Sequence, residues 1–450
     1  MKTASQAGKS VDELVSQAVA LHRAGQRAQA GKIYRKVLKS HPDHPDALHF
    51  SGLLAHQLGD EKTALASIRR AIEVKPDYAD AIKNLGNILL GEEQHAEAER
   101  CYRRVIELDP QDSTAYSNLG VACRYQYKFE QAIEAGTIAT RMTPDQLVAW
   151  YNLGNTHKIA HNFKQAITCY QQAIRLNPKF SPAHDGLCRC TLAREQGARL
   201  GRSTRSKTIE AYQHWLECEP DSAIALFMLG AVKGENRLDR APDDVIRKMF
   251  DQFAPNFEHR LGQLEYRVPR LIEDVLRRRL EPAGRLAVLD GGCGTGLCAP
   301  ALRPYAAQLT GADLSSGMLA LARKTGLYDE LVEAELTSFL AAKKQTFDLV
   351  IFADTLCYFG DLSEVIAATA GALRAGGSVV FTVERAAGGS KAPPYRLHPH
   401  GRYSHTETYV RSVLAAAGFS AIATEHQTLR QEIGRDVAGL VVTAVHRTAH

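Results

Sequence analysis

The chain has 450 residues, of which 45% are apolar and 23% charged, and its net charge is +5 at pH 7 with neutral histidines. This length exceeds one ordinary hydrophobic core, so two or three domains are expected. The apolar runs fall short of the roughly 20 residues that span a bilayer, and so small a charge excess does not indicate a nucleic-acid binder. The first residues lack the apolar core of a signal peptide, and the sequence therefore predicts a cytoplasmic protein without membrane or nucleic-acid partners.

The nine cysteines are scattered along the chain, and only Cys188 and Cys190 lie close together. No second pair follows them at the spacing of a zinc site. The pattern is typical of free buried thiols in a reducing compartment, and no metal is expected.

The first half of the sequence repeats every 34 residues. In each of five copies an alanine stands twelve residues before a proline, and a glycine or alanine stands twenty-four residues before it. The prolines of this frame are Pro42, Pro76, Pro110, Pro144 and Pro178, and the alanines are Ala30, Ala64, Ala98, Ala132 and Ala166. Such spacing predicts helical hairpins, because small residues lie where two helices cross closely and proline follows the second helix, which it cannot continue.

These positions resemble the tetratricopeptide repeat, and the segment AWYNLGNTHKIAHNFKQAITCYQQAIRLNP (149–178) is close to its consensus. The resemblance covers residues 11 to about 235 and implies hairpins that stack into a superhelix. A sixth repeat that ends at Pro220 carries extra residues around 194–206, and residues 223–234 predict a helix that closes the stack. An all-α domain over residues 1–235 is therefore expected.

Three asparagines recur at the repeat period on the predicted first helices, and they are Asn84, Asn118 and Asn152. An asparagine amide both donates to and accepts from a peptide backbone, so these residues predict a surface for a protein or peptide on the concave face. Basic residues share that side of the helices, at Lys83, Arg124 and Lys158. Asparagine is also common in the repeat consensus, which leaves a purely structural role open, and pairing with a second copy of the chain is open as well.

The period ends at about residue 236. Residues 236–284 predict a helical linker or cap, and the remainder alternates apolar strands with amphipathic helices, the pattern of a parallel sheet with crossover helices. Strands are predicted at 285–291, 308–314, 331–336, 347–354, 377–384, 421–430 and 440–447. The last two have only a short connection and are expected to pair in antiparallel fashion.

A glycine-rich loop, DGGCGTG (290–296), follows the first of these strands. Residues 294–299 alone fit the GxGxxG/A fingerprint of a dinucleotide-binding fold. However, Asp290 closes the strand and the glycines begin beyond it, so an acid followed by GxGxG describes the loop better. Glycine lets the backbone lie against a ligand where a Cβ would collide.

A second acid, Asp313, ends the next strand, where a carboxylate can accept hydrogen bonds from ribose hydroxyls or can cap the following helix. Together with the double-glycine turn before the fifth strand and the final hairpin, these features resemble class I methyltransferases, which have a Rossmann-like fold and use S-adenosylmethionine. The resemblance covers residues 245–450, and the whole chain is similar to predicted methyltransferases fused to tetratricopeptide repeats. It implies a catalytic domain over 285–450, with S-adenosylmethionine as cofactor and S-adenosylhomocysteine as product.

The resemblance also implies which residues meet the cofactor. Asp290 is expected under its methionine end, Asp313 at its ribose and Glu335 at its adenine edge, although Glu335 also fits a surface helix. The full set of implied contacts is Asp290, Gly292, Gly294, Gly296, Asp313, Leu314, Met318, Glu335, Leu336 and Asp354.

The methyl acceptor is less well defined by the sequence. Candidates for binding it are Tyr266, Arg267 and Arg402, and candidates for catalysis are His405, Tyr403 and Tyr358. His405 can act as a base near neutral pH, or it can anchor the helix that follows it.

Three functions remain open at this point. In the first, the repeats recruit a protein or peptide that the second domain methylates. In the second, the acceptor is a small molecule, and the repeats serve only scaffolding or dimerisation. In the third, the chain is an adaptor that binds the cofactor without transferring methyl; the intact glycine loop and both acids favour catalysis over this reading.

Overall fold

A computed structural model of the chain describes residues 10–197, 205–235, 238–254, 257–387, 392–432 and 435–447. None of the helices described there is both long and apolar enough to cross a bilayer. The chain divides into two compact units, Met1–Ala211 and Tyr212–His450. The division falls earlier than residue 235, where the sequence analysis ended the repeats, and separate folding of the two units stays a prediction.

The first unit is built of antiparallel helix pairs, as the 34-residue period predicts. Its helices are α1 Val11–Arg23, α2 Arg27–Ser40, α3 Pro45–Gln57, α4 Glu61–Val74, α5 Ala79–Gly91, α6 His95–Leu108, α7 Ser113–Tyr125, α8 Phe129–Met142, α9 Leu147–Ile159, α10 Phe163–Leu176 and α11 Ser181–Gly197, followed by α12 Ser206–Cys218 at the boundary between the units. Each even-numbered helix ends two residues before a proline of the repeat frame. Part of the expected insertion, residues 198–204, lies outside the described residues.

Close helix crossings explain the small residues of the repeat. The five framed alanines are fully buried. A Cβ built on Gly86 would lie 2.9 Å from the Tyr102 ring, and one built on Gly154 would lie 2.8 Å from the Tyr170 ring. These distances are too short for any real side chain, so glycine is required where the first helix of a pair crosses the aromatic residue of the second.

The second unit combines further helices with a mixed sheet. Its helices are α13 Ala223–Lys233, α14 Asp243–Phe253, α15 Phe257–Gln263, α16 Val268–Arg279, α17 Ala299–Leu302, α18 Ser316–Lys324, α19 Leu336–Ala342, α20 Ser363–Ala372 and α21 Glu407–Ala416, with 3-10 turns at Arg303–Tyr305 and Leu356–Tyr358. Its strands are β1 Leu286–Gly291, β2 Ala306–Asp313, β3 Glu330–Glu333, β4 Phe347–Phe352, β5 Leu373–Arg385, β6 Tyr395–Leu397, β7 Tyr403–His405, β8 Phe419–Glu432 and β9 Arg435–His446.

The sheet has the topology that the sequence predicts. The first five strands are parallel in the order β3-β2-β1-β4-β5, and β9 inserts between β5 and β8, antiparallel to both. The expected antiparallel final hairpin is confirmed. Two strands were not predicted: β7 pairs in parallel with the carboxyl end of β5, and β6 pairs in antiparallel fashion with β7.

Apolar side chains on the two faces of the sheet build two cores. Along β4, Val350 packs with α19, α20 and α21, whereas Leu349 and Ile351 point to the other face and pack with α16 and α17. This alternation follows from the two-residue period of a strand. Helices cover both faces of the sheet. The carboxyl ends of β1, β2, β4 and β5 therefore form the edge where polar side chains can lie together.

Candidate active site at the carboxyl ends of the strands

A cavity lies at this edge of the second unit. Acids at or just after the carboxyl ends of β1 to β4 line one side of it, namely Asp290, Asp313, Glu335 and Asp354, and Asp243 of α14 also lines it. Residues of α14 and α15 and of the segment before α16 line its other side, and they include Ile246, Phe250, Phe257, Leu261 and Tyr266. The cavity is therefore formed between acidic strand ends and a largely apolar cover.

Asp290 ends β1 and is almost completely buried, with 1% of its surface exposed. Its Oδ2 accepts a 2.7 Å hydrogen bond from the Tyr328 hydroxyl, but its Oδ1 is buried without a hydrogen-bond partner among the described residues. Burial raises the pKa of Asp290 to about 6, against the lowering effect of Tyr328. A buried acceptor atom without a donor is unfavourable, so this position suits a ligand that brings a donor.

The glycines of the loop have different roles. All three of Gly292, Gly294 and Gly296 have positive φ, which favours glycine. A Cβ on Gly292 would lie 2.4 Å from the Thr355 side chain, and one on Gly296 would lie 3.1 Å from the Tyr328 ring. A Cβ on Gly294 would meet only Phe257, at 3.9 Å. Packing within the protein is thus a reason for glycine at 292 and 296, and open space is left at 294. Gly292 and Gly294 line the cavity, and contact of the three glycines with a cofactor stays a prediction.

Asp313 ends β2 and holds the neighbouring loops. Its Oδ2 accepts the Gly294 N–H at 2.9 Å, and its Oδ1 accepts the Ser315 N–H at 2.9 Å. Burial raises the pKa of Asp313, while these backbone N–H groups lower it. The helix cap is made by Ser315, whose Oγ accepts the Met318 N–H, so Asp313 is not the capping residue of α18.

Glu335 lies after β3 and caps α19, since its carboxylate accepts the N–H groups of Thr337 and Ser338. Arg240 donates to it at 2.6 Å. Although burial raises its pKa, these backbone groups and Arg240 lower the pKa of Glu335 to about 2. The strand ends at Glu333, two residues before the acid, so the placement of Glu335 within a strand was wrong, although Glu335 and Leu336 both line the cavity.

Helix α14 covers the cavity and is fixed at several points. Asp251 accepts hydrogen bonds from the Ser315 hydroxyl at 2.6 Å and from the Gly317 N–H at 3.2 Å. Arg247 donates to the backbone carbonyl of Leu314 at 3.2 Å. Phe250 packs edge-on against Tyr358, with ring centroids 5.5 Å apart. The cover thus contacts the same loops that carry Asp313 and Asp354.

A buried charge cluster surrounds Asp354 beyond the carboxyl end of β4. Arg430 on β8 is 1% exposed, and its Nη1 donates to both carboxylate oxygens of Asp354, at 3.1 and 3.2 Å. The same guanidinium donates to Glu432 at 2.7 Å and to Glu384. Arg402 donates to Glu384 at 3.3 Å and to Glu432 at 2.9 Å. Two arginines therefore lie among three carboxylates, of which only Asp354 lines the cavity.

The roles of Arg430, Glu384 and Glu432 were not predicted from the sequence. Arg430 follows an apolar residue near the end of a predicted strand. From the sequence, an arginine at such a position is expected to be exposed at the edge of the sheet. Its partners lie after β4, on β5 and on β8 itself, so only the sheet order could have pointed to its burial. Asp354 has φ +56°, an uncommon conformation for a residue with a side chain that often marks a functional position.

Several candidates do not line the cavity. Tyr403 is buried and donates to the carbonyl of Leu238 at 2.7 Å. His405 contacts the carbonyl of Gly360 at 3.0 Å, and burial lowers its pKa to about 4, so the structure favours the anchoring role over the base. Arg267 is exposed beside Glu265, and Met318 is buried away from the lining. In contrast, Tyr266, Tyr358 and Arg402 do line it.

The asparagine series of the repeats mainly joins neighbouring repeats. The amide Nδ2 of Asn84 lies 2.9 Å from His49, that of Asn118 donates to Asn87 at 3.0 Å, and that of Asn152 donates to Ser117 at 3.3 Å. Each amide group thus contacts the preceding repeat. Each amide nitrogen thus makes a contact within the array, which supports the structural role that the repeat consensus left open.

Family models agree with this architecture. A methyltransferase-domain model matches residues 289–381, and tetratricopeptide-repeat models match residues 15–80, 79–112 and 148–180. The chain therefore combines tetratricopeptide repeats with a methyltransferase domain.

Among curated proteins, the chain is 37% identical over 133 residues to methyltransferase-like protein 27 of Homo sapiens, which covers 28% of this chain and 54% of that protein. It is 34% identical to a malonyl-[acyl-carrier protein] O-methyltransferase of Enterobacter lignolyticus, over 30% of this chain and 51% of that protein. It is 37% identical to a ubiquinone biosynthesis O-methyltransferase of Thiobacillus denitrificans, over 22% and 45%. The chain thus spans about half the length of the curated relatives it matches.

Solved structures are similar to part of the chain. YrrB, described as a TPR protein with an unusual peptide-binding site, is 22% identical with a TM-score of 0.35 and covers 39% of this chain and 90% of its own. The pilF protein of Pseudomonas aeruginosa is 18% identical with a TM-score of 0.40, over 47% and 93%.

Proposed function

We propose that this chain is an S-adenosylmethionine-dependent methyltransferase whose repeat array recruits a protein or peptide, as substrate or as partner. The observation that carries the proposal is the cavity of the second unit, which brings Asp290, Gly294, Asp313 and Glu335 together beside Asp354. A methyltransferase-domain model matches the segment that contains all five residues.

The lining residues fit S-adenosylmethionine on chemical grounds. The buried Oδ1 of Asp290 lacks a donor among the described residues, and the ammonium group of the cofactor is a donor. The open side of Gly294 leaves space that a Cβ would occupy. Asp313 offers carboxylate lone pairs to ribose hydroxyls, and the aromatic rings of Phe250 and Phe257 offer flat apolar surface to the adenine.

The residues of the chain have few chemical tasks in this reaction, because the cofactor supplies a methyl group that is already activated on a positively charged sulfur. The strand-end acids bind and orient it, and α14 and α15 exclude water from the cavity. Asp354 and Tyr358 lie on the lining where an acceptor can be held. They are the lining residues that we assign to the acceptor.

Recruitment by the repeats is supported by the family of the first unit. Stacked helix pairs expose one continuous face to partners, and tetratricopeptide repeats generally mediate contacts between proteins. The three asparagine amides each contact the preceding repeat, so we do not rest recruitment on these residues alone.

A small-molecule acceptor is the second candidate, with the repeats serving only as a scaffold or in dimerisation. The asparagine contacts between repeats favour it, because they give these residues a structural role that needs no peptide. Two of the curated relatives are named as O-methyltransferases, one of malonyl-[acyl-carrier protein] and one of ubiquinone biosynthesis.

The test begins with binding of S-adenosylhomocysteine to the full chain by calorimetry, since no binding would contradict the function at its first step. The chain is then incubated with S-adenosylmethionine labelled in the methyl group and with host lysate, and protein is separated from metabolites. Label in protein is expected. Label found only in metabolites would favour the small-molecule acceptor, and binding without any transfer would favour a non-catalytic adaptor.

A further inference from the structure

Tyr328 lies outside the cavity, yet it contacts an acid that lines the cavity. It stands between α18 and β3, and its hydroxyl donates to Oδ2 of Asp290 at 2.7 Å. Asp290 lines the cavity, whereas Tyr328 does not. Among the described residues no other side chain donates to Asp290, and its Oδ1 has no partner. The tyrosine therefore occupies one carboxylate oxygen and leaves the other to a donor from elsewhere.

The ring of Tyr328 is fixed by two glycines. A Cβ built on Gly296 would lie 3.1 Å from this ring, and one built on Gly311 of β2 would lie 2.9 Å from it. The backbones of the glycine loop and of β2 thus pack directly against the ring, since no side chain stands between them. The position of the hydroxyl is therefore set by the same two elements that end in Asp290 and Asp313 or follow them.

The residues on either side of Tyr328 are anchored as well. Arg303 donates to the carbonyl of Leu327 at 3.3 Å and to the carboxylate of Asp329 at 2.6 Å. The carboxylate of Asp329 also accepts the Leu309 N–H at 2.7 Å, and these contacts with Leu309 and Arg303 lower the pKa of Asp329. The segment that carries the tyrosine is thus attached to β2 and to the turn before it.

Few titratable groups surround Asp290. They are Tyr328 before β3, Cys293 in the glycine loop, Cys298 just before α17 and Asp313 at the end of β2. Burial raises the pKa of both thiols, so they are uncharged near neutral pH. Burial also raises the pKa of Asp290 to about 6, and Asp313 acts in the same direction. Of these groups, Tyr328 alone favours the ionised carboxylate.

We infer that Tyr328 is a positioning residue for the cofactor, because its hydroxyl holds the Asp290 carboxylate and leaves Oδ1 to the ammonium group of S-adenosylmethionine. This inference rests on the proposed function and adds a residue that acts through Asp290 without touching the ligand. An ionised carboxylate attracts an ammonium group, whereas a protonated carboxyl carries a hydrogen that competes for the same oxygen. Loss of the hydroxyl would therefore both release Asp290 and favour its protonated form.

The test compares two ligands on the full chain. S-adenosylhomocysteine carries the ammonium group, and methylthioadenosine has the same nucleoside and sulfur without the amino-acid end. Calorimetry from about pH 5 to about pH 8.5 gives both affinities, and their ratio reports the amino-acid end. This ratio is expected to fall as the pH falls below about 6, because protonation removes the negative charge of Asp290.

Tyr328→Phe keeps the ring and removes the hydroxyl. The fall of the ratio is expected to begin about one to two pH units higher in this variant, which is the effect of a lost hydrogen bond to a charged group. Near pH 6 the ratio should be about tenfold lower than in the unchanged chain, and near pH 8.5 the two should approach each other. A loss that is equal for both ligands at every pH would show a packing role alone and would overturn the inference.

Matched variants assign the effect to the pair of residues. Tyr409→Phe also removes a hydroxyl that donates to a carboxylate, that of Asp361 at 2.8 Å, but it lies outside the cavity lining and is expected to keep the original pH profile. Asp290→Asn is expected to lower the ratio near pH 8.5 and to abolish its fall near pH 6. Adding Tyr328→Phe to Asp290→Asn should then change the ratio little, because the titrating carboxylate is already gone.

An unchanged profile in Tyr328→Phe would overturn the inference. A flat profile in the unchanged chain would overturn it too, and that measurement holds even where Tyr328→Phe does not fold. Where methylthioadenosine binds too weakly to measure, the same shift is read from the affinity of S-adenosylhomocysteine alone. Failure of the full chain to bind S-adenosylhomocysteine at any pH would instead overturn the proposed function, so the two failures are distinguishable.

Discussion

At Asp290, the stability of the protein without cofactor and the binding of the cofactor place opposite demands on the side chain. The side chain is 1% exposed, and its pKa is raised by burial from its ordinary value near 4 to about 6. The folded protein therefore holds the proton more tightly than the unfolded chain does. As the pH rises from about 4 to about 6, this group lowers the free energy of unfolding. Above about pH 6 this group lowers the free energy of unfolding no further.

We therefore expect Asp290→Asn to stabilise the protein without cofactor at neutral pH, by at most about 3 kcal/mol, because the asparagine has no charge to bury. The Tyr328 hydroxyl can still donate to the amide oxygen. Urea unfolding near neutral pH and near pH 4 measures the effect, which should shrink at the lower pH. The variant should also bind S-adenosylhomocysteine more weakly, and tighter binding would exclude contact between Asp290 and the ammonium of the ligand.

Replacement of Asp313, unlike that of Asp290, is expected to remove contacts within the protein as well as contacts with the ligand. Its two oxygens hold the Gly294 and Ser315 N–H groups at 2.9 Å, so Asp313→Ala loses both contacts and any ribose contact as well. Hydrogen bonds to charged groups contribute about 1.5–3 kcal/mol each, so S-adenosylhomocysteine affinity should fall at least about tenfold. Calorimetry measures the change, with Asp274→Ala as the control. Unchanged affinity would mean that the ribose lies elsewhere.

Site residues whose position follows from their place in the chain could be predicted from the sequence. Asp290 and Asp313 end predicted strands, and parallel strands bring their carboxyl ends to one edge, so both acids were expected at the cavity that the structure contains. Arg430 could not be found in this way, since its partners Asp354 and Glu384 are distant in sequence and meet it only through the strand order. His405 looked catalytic by residue type, but type alone does not predict burial.

At the scale of elements, the glycine loop is expected to need Gly292 for the fold and Gly294 for ligand binding, and the two needs can be tested separately. Gly292→Ala should destabilise the fold, because its Cβ would lie 2.4 Å from Thr355 and its φ is +74°. Gly294→Ala should cost only the strain of its φ of +56°, about 1 kcal/mol, and yet prevent S-adenosylhomocysteine binding, because its Cβ enters the cavity.

Thermal unfolding and calorimetry of the two variants separate these effects. The expected result is a large fall in melting temperature for Gly292→Ala and a small one for Gly294→Ala, with loss of ligand affinity in the folded Gly294→Ala protein. Normal ligand affinity in Gly294→Ala would contradict close approach of a ligand at this residue.

Elements with a strong local period were predictable, and short ones were not. Repeat helices end before Pro42, Pro76 and the other prolines of the repeat frame, because proline cannot continue a helix. These helix ends can therefore be predicted from the positions of the prolines alone. Strands β6 and β7 have three residues each, too few for an alternation to be read, and they form only because β5 offers its free edge. Glu335 was placed in a strand, yet its cap contacts with Thr337 and Ser338 depend on where α19 begins.

At the scale of the whole molecule, the boundary between the units decides which truncation is informative. The second unit includes α13, where Met228 and Phe227 contact Gly401, so removal of residues 1–235 would also remove part of that unit. A chain that begins at Ser206 keeps α12 and α13 whole and deletes the helix pairs α1 to α10 together with α11.

We expect this shortened chain to fold and to bind S-adenosylhomocysteine about as tightly as the full chain, because the cavity is lined by residues 240–430 alone. Under the proposed function it should still methylate a small acceptor but should no longer label protein in host lysate, because the recruiting surface is gone. Calorimetry and transfer of labelled methyl groups measure the two properties separately. Retained labelling of protein would exclude recruitment by the repeats, whereas loss of cofactor binding would show that the second unit depends on the first. Only the combination of retained binding, retained transfer to a small acceptor and lost protein labelling supports recruitment, since each of the other results removes one of its premises.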